Sequence, residues 1–547
     1  NAVGMALAER LLAAEFNRPG FDIIDHHTYV FLGDGCMMEG ISHEVCALAG
    51  TLGLGKLIAL YDDNGISIDS EKASIKAWYT DDVPKRFAAY GWQVIANVDG
   101  HDTQAVHRAI LKAKRETARP TLICCQTVIG KGAPNKQNTG GVHGAPLGDA
   151  EIAAARAALG WPHAPFEIPT EISAAWNARR KGARRHKEWK KLFANYSAAF
   201  APQAAEFTRR MSGALPADYA TRVAALLEDI NNKAETIATR KASQNALESL
   251  VPLLPELLGG SADLAESNNT TIEEGHSFLP ASSEMKDANP YGRIIHFGIR
   301  EHAMGSILNG ITLSGLTRTF GGTFLMFADY MRGAVRLAAL MDIPTTFVWT
   351  HDSIGVGEDG PTHQPIEHFA ALRAIPNLHV IRPADANETA ACWIEILKRN
   401  KPAGILLSRQ NLPVMPLNAA GVSKGAYAVK AVANPKVSII ATGSEVSVAM
   451  KAAEKLEADG ISTQVVSAPC LEWFAEQDGA YRESLLPKSA IKVSIEAGIA
   501  QGWREYVGDN GVIISLDHFG ASAAAGKLFE EFGFGADAVV AKIKAAL

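Results

Sequence analysis

Residues Thr28 to Ile68 read TYVFLGDGCMMEGISHEVCALAGTLGLGKLIALYDDNGISI, and this stretch decides the fold of the chain. Thr28 to Leu32 is a short apolar run rich in strand-forming residues. Glu39 to Leu52 carries apolar residues at helical spacing, and Leu57 to Tyr61 is a second run typical of a strand. A strand–helix–strand unit places its two strands parallel, so the turns that follow both strands lie at the same edge of the sheet.

Polar turns follow both of these predicted strands. Gly33-Asp34-Gly35 ends the first strand, and Asn64 lies in the turn after the second. We therefore expect Asp34 and Asn64 to lie close together. Their oxygens suit Mg²⁺ or Ca²⁺, which usually keep coordination positions open for phosphate oxygens, and the two glycines let a phosphate approach the backbone. Either turn alone is more often structural, but the pair on one unit favours a metal–phosphate site.

The combination of GDG, a helix and a strand that ends in Asn about thirty residues later resembles the diphosphate–metal motif of thiamine-diphosphate enzymes. The sequence GDGCMMEGISHE followed by YDDNGISI resembles that of transketolases in particular. The resemblance implies that thiamine diphosphate and Mg²⁺ (or Ca²⁺) are the cofactors. It assigns cofactor contacts to Gly33, Asp34, Gly35, Glu39 and Asn64, and metal ligation to Asp34, Asn64 and Ile66.

Composition limits the class of protein. The length of 547 residues predicts about three or four domains, and an apolar fraction of 47% is ordinary for a globular protein. A net charge of −6 argues against nucleic acid or an anionic membrane as the main partner. Six cysteines form neither a disulfide framework nor a CxxC pattern, and no apolar run is long enough to span a bilayer. We expect a cytoplasmic protein.

Strands and helices alternate along most of the chain, which predicts open, doubly wound parallel sheets. A basic, helical stretch containing RRKGARRHKEWKKLF interrupts this pattern and indicates a solvated interdomain connection. We predict an α/β protein with three doubly wound domains and mainly parallel sheets. Their predicted ranges are 1–201 (with a linker from about 162), 202–416 and 417–547. The resemblance implies that these are diphosphate-binding, pyrimidine-binding and carboxy-terminal domains of transketolase type.

The long loop GKGAPNKQNTGGVHGAPLGDAEI contains His143. Loops of this length inside compact domains are usually functional or disordered. From the residues alone, His143 is equally consistent with an exposed loop histidine. The resemblance implies that it lies over the cofactor diphosphate and takes part in catalysis.

The segment RIIHFGIREHAMG predicts a strand that leads into a helix with Glu301 in its first turn. A carboxylate is electrostatically favoured there, so Glu301 could be structural. In thiamine-diphosphate enzymes a glutamate at this place bonds the pyrimidine ring and sets its protonation. Phe324, Phe327 and Tyr330 recur every third residue, a helical stripe that more often faces a core. The resemblance implies that these aromatic side chains pack the aminopyrimidine.

Candidate substrate residues are spread over several segments. A cationic side chain beside hydroxyl and amide donors, as in TRKASQNALESL and SADLAESNNT, suits a sugar phosphate. The segment THDSIGVGEDGPTHQPIEHFA contains GxGxxG, but its prolines exclude a dinucleotide-binding helix, and its histidines lack zinc spacing. The resemblance assigns phosphate contacts to Arg240, Ser267, His351 and Arg409, a hydroxyl contact to Asp359, and proton movement at the ketose oxygens to His363.

The resemblance extends over the whole chain, although the third predicted domain shows no catalytic constellation. It implies a homodimer with active sites between subunits. It also implies reversible transfer of a two-carbon ketol unit from a ketose phosphate such as xylulose 5-phosphate to an aldose phosphate such as ribose 5-phosphate, in the pentose phosphate pathway. Transketolases carry a further amino-terminal segment with cofactor-contacting histidines and glycines. Those positions have no counterpart here, so we expect feeble turnover from this chain alone.

Two alternatives stay open at this stage. Another thiamine-diphosphate enzyme, such as a deoxyxylulose-phosphate synthase or a phosphoketolase, would share GDG and the glutamate. A catalytically impaired fragment could act only as a binding protein on the same fold. The set of Arg240, Ser267, His351 and Arg409 favours ketol transfer between sugar phosphates.

Overall fold

The computed structural model describes residues 1–70, 74–273 and 275–547, which form two compact units. Unit 1 comprises Asn1–Thr208 and Pro280–Ser283, and unit 2 comprises Arg209–Leu279 and Glu284–Leu547. Parallel sheets flanked by helices form both units, which confirms the predicted fold class. Within the described parts of the chain, no helix combines the length and the hydropathy that crossing a bilayer requires.

Unit 1 is built around four parallel strands. The strands are β1 (Thr28–Gly33), β2 (Leu57–Asp63), β3 (Gln93–Asp99) and β4 (Thr121–Gln126), in the order β1-β2-β4-β3. The helices are α1 (Ala2–Phe16), α2 (Asp34–Met38), α3 (Gly40–Thr51), α4 (Val83–Ala89), α5 (Thr103–Ala113), α6 (Asp149–Ala158), α7 (Thr170–Trp176), α8 (Arg179–Ala199) and α9 (Ala201–Met211), which continues into unit 2. Strands β2 and β4 are almost continuously buried, as expected where helices cover both faces of a parallel sheet.

The larger sheet of unit 2 has eight parallel strands. The strands in this part of the chain are β5 (Ile237–Ala238), β6 (Leu257–Ser261), β7 (Ser277–Phe278), β8 (Ala288–Asn289), β9 (Ile294–His296), β10 (Arg318–Phe324), β11 (Thr345–Thr350), β12 (His379–Ile381), β13 (Ala403–Leu407) and β14 (Asn411–Leu412). The order is β12-β13-β11-β10-β6-β9-β7-β8, and β14 pairs with β5 in a separate antiparallel pair. The helices are α10 (Tyr219–Lys233), α11 (Thr239–Leu250), α12 (Ala265–Asn268), α13 (Glu301–Thr312), α14 (Arg332–Met341), α15 (His368–Arg373) and α16 (Ala386–Arg399).

A five-stranded sheet forms the last part of unit 2. Its strands are β15 (Tyr427–Lys430), β16 (Val437–Ala441), β17 (Thr463–Ser467), β18 (Ile491–Ile495) and β19 (Val512–Ile514), in the order β15-β17-β16-β18-β19 with β15 antiparallel. The helices are α17 (Ala419–Val422), α18 (Glu445–Ala458), α19 (Leu471–Ala475), α20 (Gly479–Leu485), α21 (Arg504–Val507), α22 (Ala525–Glu531) and α23 (Ala536–Lys544). Short 3₁₀ helices cover Ile75–Ala77, Gly140–Val142, Leu325–Met331 and Ile354–Val356.

A buried ionic network joins the loops after β11, β12 and β16 of unit 2. The fully buried Arg382 donates to Asp352 at 2.8 Å, to the carbonyl of Thr442 at 3.1 Å, and to the equally buried Glu445. Buried charges of this kind are costly unless each is paired, and here the guanidinium meets two carboxylates. The network therefore constrains how the five-stranded sheet is attached within unit 2.

Candidate active site

One candidate site lies in unit 1, at the carboxyl ends of β1 and β2. These strands are parallel with Gly33 opposite Asp62, so the two polar turns leave the same edge, as the sequence predicted. Asp34 begins α2 and is buried. Its Oδ1 accepts a hydrogen bond from the Tyr61 hydroxyl at 2.5 Å, and its Oδ2 accepts one from the Gly65 backbone N–H at 2.9 Å. The carboxylate is thus held against the residue that follows Asn64.

The Asn64 side chain forms two hydrogen bonds within the second turn. Its Oδ1 accepts from the Ile66 backbone N–H at 2.9 Å, and its Nδ2 donates to Asp62 at 3.2 Å. Ile66 can offer a metal only its backbone carbonyl oxygen, because its side chain is apolar. The turn around Gly65 therefore brings together oxygen atoms of Asp34, Asn64 and Ile66.

Electrostatics make Asp34 a candidate cation ligand. Burial raises the pKa of its carboxyl, the hydrogen bonds from Tyr61 and Gly65 lower it, and the neighbouring Asp63 and Asp62 raise it again. A divalent cation would offset both the burial and the neighbouring negative charges. Each carboxylate oxygen accepts one hydrogen bond in the structure and has a further lone pair to offer.

Open space lies beside these groups. A Cβ added at Gly33 or at Gly35 would meet no atom within 4 Å, so the backbone there is accessible to a ligand. Asp34 lines a cavity of about 390 Å³ together with Tyr61 and Tyr79. The Tyr79 hydroxyl is buried beside the Arg86 guanidinium. The accessible backbone and the oxygen ligands fit a diphosphate held by a divalent cation.

Glu39 and His143 are two predicted cofactor contacts at exposed positions of unit 1. Glu39 follows α2 and His143 follows the 3₁₀ helix Gly140–Val142, and both are exposed. Among the described residues, no hydrogen bond or ion pair joins either side chain to Asp34. The structure does not bring them into the Asp34 cluster by direct contact.

A second candidate site lies in unit 2, at the carboxyl ends of the parallel strands. Glu301 is the first residue of α13 and is buried. A carboxylate at a helix amino terminus faces the positive end of the backbone dipole. This placement agrees with the predicted helix start.

The three predicted aromatic residues form one row, but not on an α-helix. Phe324 ends β10, whereas Phe327 and Tyr330 lie on the 3₁₀ helix Leu325–Met331. Three residues per turn align positions i and i+3 on a 3₁₀ helix, so Phe327 and Tyr330 lie on one side of it. The rings of Phe324 and Phe327 stack at 5.6 Å, and Tyr330 lies 5.9 Å from Phe327 with 69% of its surface exposed. Together they offer an aromatic surface to a ligand.

Two predicted substrate residues, His351 and His363, lie against this row. Phe324 pairs with Thr350 across β10 and β11, so His351 follows the strand end beside it. The His351 and Phe324 rings stack at 3.7 Å, and His363 lies edge-on to Phe327 at 5.6 Å. The structure thus joins both predicted histidines to the aromatic row.

Two arginine side chains, Arg240 and Arg409, interact electrostatically with His351. Arg240 lies in the first turn of α11 and donates to the carbonyl of Ser267 at 2.6 Å. Burial lowers its pKa, and the positive charge of Arg409 lowers it further. Burial likewise lowers the pKa of His351 to about 3, with contributions from Arg240, Arg409 and His363. Two guanidiniums and a neutral imidazole therefore form a cluster that favours an anion.

Asp359 differs from the other predicted substrate residues. It is exposed in the turn between Gly357 and Gly360, whose backbone groups hydrogen-bond at 3.1 Å. No contact among the described residues joins its side chain to His351 or to Arg240. Its predicted role rests on the sequence alone.

Residues that the sequence did not predict support the candidate sites in both units. Tyr61 orients Asp34, and its only sequence signal was its place at the end of a predicted strand. The fully buried Asn268 and Thr350 hydrogen-bond each other at 2.7 Å, and Thr350 in turn contacts its neighbour His351 at Nδ1 at 2.8 Å. Nothing in the local sequence marked the bond between Asn268 and Thr350, because it connects segments 82 residues apart.

A separate trio of possible metal ligands lies on unit 2. One ligand atom each of Asp329, Glu367 and His368 lies within 4.8 Å of the others. The two carboxylates, however, face opposite ring nitrogens of the buried His368, at 3.3 Å and 3.8 Å. This is the arrangement of an imidazole between two carboxylates, and none of the three residues belongs to the predicted metal site.

Comparisons with known proteins agree with this geometry. Residues 1–216 match the family model of the transketolase thiamine diphosphate binding domain, residues 235–415 the transketolase pyrimidine binding domain, and residues 425–535 the transketolase-like C-terminal domain. The chain is 55% identical to the plasmid transketolase of Cupriavidus necator over 97% of this chain and 78% of that protein. It is 52% identical to transketolase 1 of Escherichia coli K12 over 100% of this chain and 81% of that protein.

Solved structures give the same result. A transketolase from Pichia stipitis in complex with sedoheptulose 7-phosphate superposes with a TM-score of 0.93 and 41% identity, covering 100% of this chain and 80% of that one. A transketolase from Leishmania mexicana gives a TM-score of 0.92 and 43% identity, over 100% of this chain and 79% of that one. The chain therefore belongs to the transketolase family of transferases.

Proposed function

We propose that this chain catalyses the reversible transfer of a two-carbon ketol unit from a ketose phosphate of the xylulose 5-phosphate type to an aldose phosphate of the ribose 5-phosphate type, in the pentose phosphate pathway. The observation that carries this proposal is the cluster in unit 2, where the charges of Arg240 and Arg409 act on a neutral His351 that stacks on an aromatic ring. Guanidiniums suit phosphate groups, and the relative from Pichia stipitis was crystallised with a sugar phosphate.

The cofactor of this reaction is thiamine diphosphate, for which the chain carries a binding domain. When bound, it supplies the carbon nucleophile that side chains lack. Asp34, Asn64 and the backbone carbonyl of Ile66 would hold Mg²⁺, or Ca²⁺ in its place, and the cation would supply positive charge for the diphosphate. Gly33 and Gly35 leave room for the diphosphate oxygens.

Other residues of this chain orient the cofactor. The carboxyl group of Glu301 bonds the pyrimidine ring and holds the proton that sets the ring's protonation state. Phe324, Phe327 and Tyr330 pack against the same ring, for which an aromatic row provides affinity. Glu39 and His143 make further contacts with the diphosphate in this proposal.

At the sugar end, the side chains have separate tasks. Arg240 and Arg409, with Ser267 and His351, hold the sugar phosphate. His363 moves a proton at the ketose oxygens, and imidazole suits this role because its charge changes near neutral pH. Asp359 contacts a substrate hydroxyl.

We also propose a homodimer with each active site between two subunits. One subunit contributes Asp34 and Asn64, and the other contributes Glu301. Large apolar side chains beside these residues support coverage by a partner, since Phe31 is 80% exposed and Ile299 is 79% exposed.

Domain ranges of 1–201, 202–416 and 417–547 remain part of the proposal. All six cysteines are free thiols, which suits the reducing cytoplasm.

Product analysis tests the reaction. Purified protein with thiamine diphosphate and Mg²⁺ should convert xylulose 5-phosphate and ribose 5-phosphate into a seven-carbon ketose phosphate and a triose phosphate, identified by mass spectrometry. A phosphoketolase would release acetyl phosphate instead, and a deoxyxylulose-phosphate synthase would need pyruvate. Asp34→Ala should abolish metal-dependent cofactor binding, while Arg184→Ala on the exposed part of α8 serves as the control. Acetyl phosphate as the product would overturn the proposal.

A further inference from the structure

A chain of buried hydrogen bonds runs from the backbone of β10 to His351. The Ser261 hydroxyl bonds the carbonyl of Gly322 at 2.8 Å, and the Asn268 side chain bonds Ser261 Oγ at 2.8 Å. Thr350 Oγ1 lies 2.7 Å from Asn268 Oδ1 and 2.8 Å from His351 Nδ1. All four side chains are buried, so water does not compete for these bonds.

In this series of hydrogen bonds, the donor and acceptor of each bond determine those of the next. A carbonyl can only accept, so the Ser261 hydroxyl donates its single hydrogen to Gly322 and must accept from the Asn268 amide group. The side-chain oxygen of Asn268 therefore faces Thr350 and accepts the hydrogen of the Thr350 hydroxyl. Thr350 Oγ1 can then only accept, and the remaining donor is the N–H of His351 Nδ1. The network thus determines the tautomer of the imidazole.

The other ring nitrogen must then carry a lone pair while the imidazole is neutral. Burial and the positive charges of Arg240, Arg409 and His363 keep His351 neutral at physiological pH, because they lower its pKa to about 3. Nε2 is therefore a hydrogen-bond acceptor in the free protein. An oxygen of a phosphate dianion is also only an acceptor, so the two atoms cannot bond without an added proton.

We propose that Asn268 and Thr350 are positioning residues that hold His351 in the Nδ1–H tautomer, and that one proton is taken up at Nε2 when a sugar phosphate binds. This inference rests on the proposed function, in which the phosphate lies at His351. The proton comes from solvent or from the phosphate monoanion, and it adds to the Nε2 lone pair without breaking any bond of the sugar phosphate. The dianion offsets the two guanidinium charges that otherwise disfavour the imidazolium.

Calorimetry on the full chain with thiamine diphosphate and Mg²⁺ tests this. The probe is sorbitol 6-phosphate, which lacks a carbonyl group and cannot react, and sorbitol is the control ligand. Titrations in buffers of different ionisation enthalpy should show uptake of nearly one proton per site above pH 7, where the phosphate is mainly a dianion. By linkage, the dissociation constant should rise about tenfold per pH unit between pH 7 and pH 8.5.

Variants of Thr350 separate positioning from packing. Thr350→Val removes the acceptor, so the ring can present an Nε2–H to the dianion, and proton uptake should fall to less than half. Thr350→Ser keeps the hydroxyl and should restore the wild-type uptake. Thr346→Val, a buried threonine on the same strand outside the chain of bonds, should behave as wild type. If Thr350→Val does not fold, the pH dependence of the wild type decides the question.

The outcomes are distinct. Phosphate-dependent binding without proton uptake, or full uptake by a folded Thr350→Val protein, would overturn the inference and leave the proposed function standing. If sorbitol 6-phosphate binds no more tightly than sorbitol, the proposed phosphate site fails and the inference fails with it.

Discussion

The hydroxyl of Tyr61 should control the affinity of the proposed divalent-cation site at Asp34. Tyr61→Phe removes the hydrogen bond to Asp34 Oδ1, which measures 2.5 Å, and leaves the ring in place. A hydrogen bond to a charged group contributes about 1.5–3 kcal/mol. If this energy is lost only from the cation-bound form, the dissociation constant for Mg²⁺ rises roughly 10- to 150-fold. Loss of groups that orient metal ligands usually costs a similar ~10- to 100-fold.

The effect should depend on pH, and its sign follows from Asp34. Burial already raises the pKa of this carboxyl, and the Tyr61 hydrogen bond opposes that rise. Without the hydroxyl, the pKa rises further, and protons compete with the cation over a higher pH range. The loss of affinity should therefore be larger at pH 6 than at pH 8.

Calorimetric titration of Mg²⁺ into the protein with excess thiamine diphosphate measures this directly. Tyr196→Phe is the matched control, because its buried hydroxyl bonds the carbonyl of Phe16 at 2.7 Å and contacts no residue of the site. Equal dissociation constants for wild type and Tyr61→Phe at both pH values would refute the argument that Tyr61 orients a metal ligand.

Three further substitutions test other parts of the structure. Arg382→Met leaves the buried Glu445 unpaired, so it should lower the free energy of unfolding by about 3–5 kcal/mol in urea denaturation, and an unchanged midpoint would contradict this. Burial and the neighbouring Asp385 raise the pKa of Glu388 to about 7, so its stabilising contribution is present at low pH and lost as the pH rises through 7. Glu388→Gln should flatten that pH dependence between pH 5 and pH 8, and a curve identical to wild type would count against it. Glu301→Gln should lower kcat about 10²- to 10⁴-fold while cofactor affinity stays within tenfold, and retention of full turnover would remove Glu301 from the mechanism.

The strand–helix–strand unit was predictable because its signals are local. Apolar runs between glycine-containing turns predicted strands over 28–32 and 57–61, and the structure extends them to Gly33 and Asp63. Parallel pairing then followed from the general rule for such units, which placed Asp34 beside the turn that contains Asn64. The helix that begins at Glu301 was also visible from its own sequence.

Contacts across the sheet were not predictable in this way. The bond between Tyr61 and Asp34 depends on the register of β1 against β2, and the bond between Thr350 and Asn268 joins the end of β11 to the end of α12. A single sequence contains no signal for such pairings. The aromatic spacing did not determine the local structure either, since a spacing of three residues fits both an α-helical face and a 3₁₀ helix.

The candidate sites of unit 1 and unit 2 differ in the charge that each offers to a phosphate group. In unit 1, Asp34 lies near Asp62 and Asp63, whose charges already raise its pKa, so a diphosphate placed there would add negative charge to negative charge. Only a cation between them makes that arrangement favourable, which explains why oxygen ligands rather than arginines occupy these strand ends. In unit 2, Arg240 and Arg409 already provide positive charge beside a neutral imidazole. A sugar phosphate can bind there without a metal, although the whole chain carries a net charge of −6.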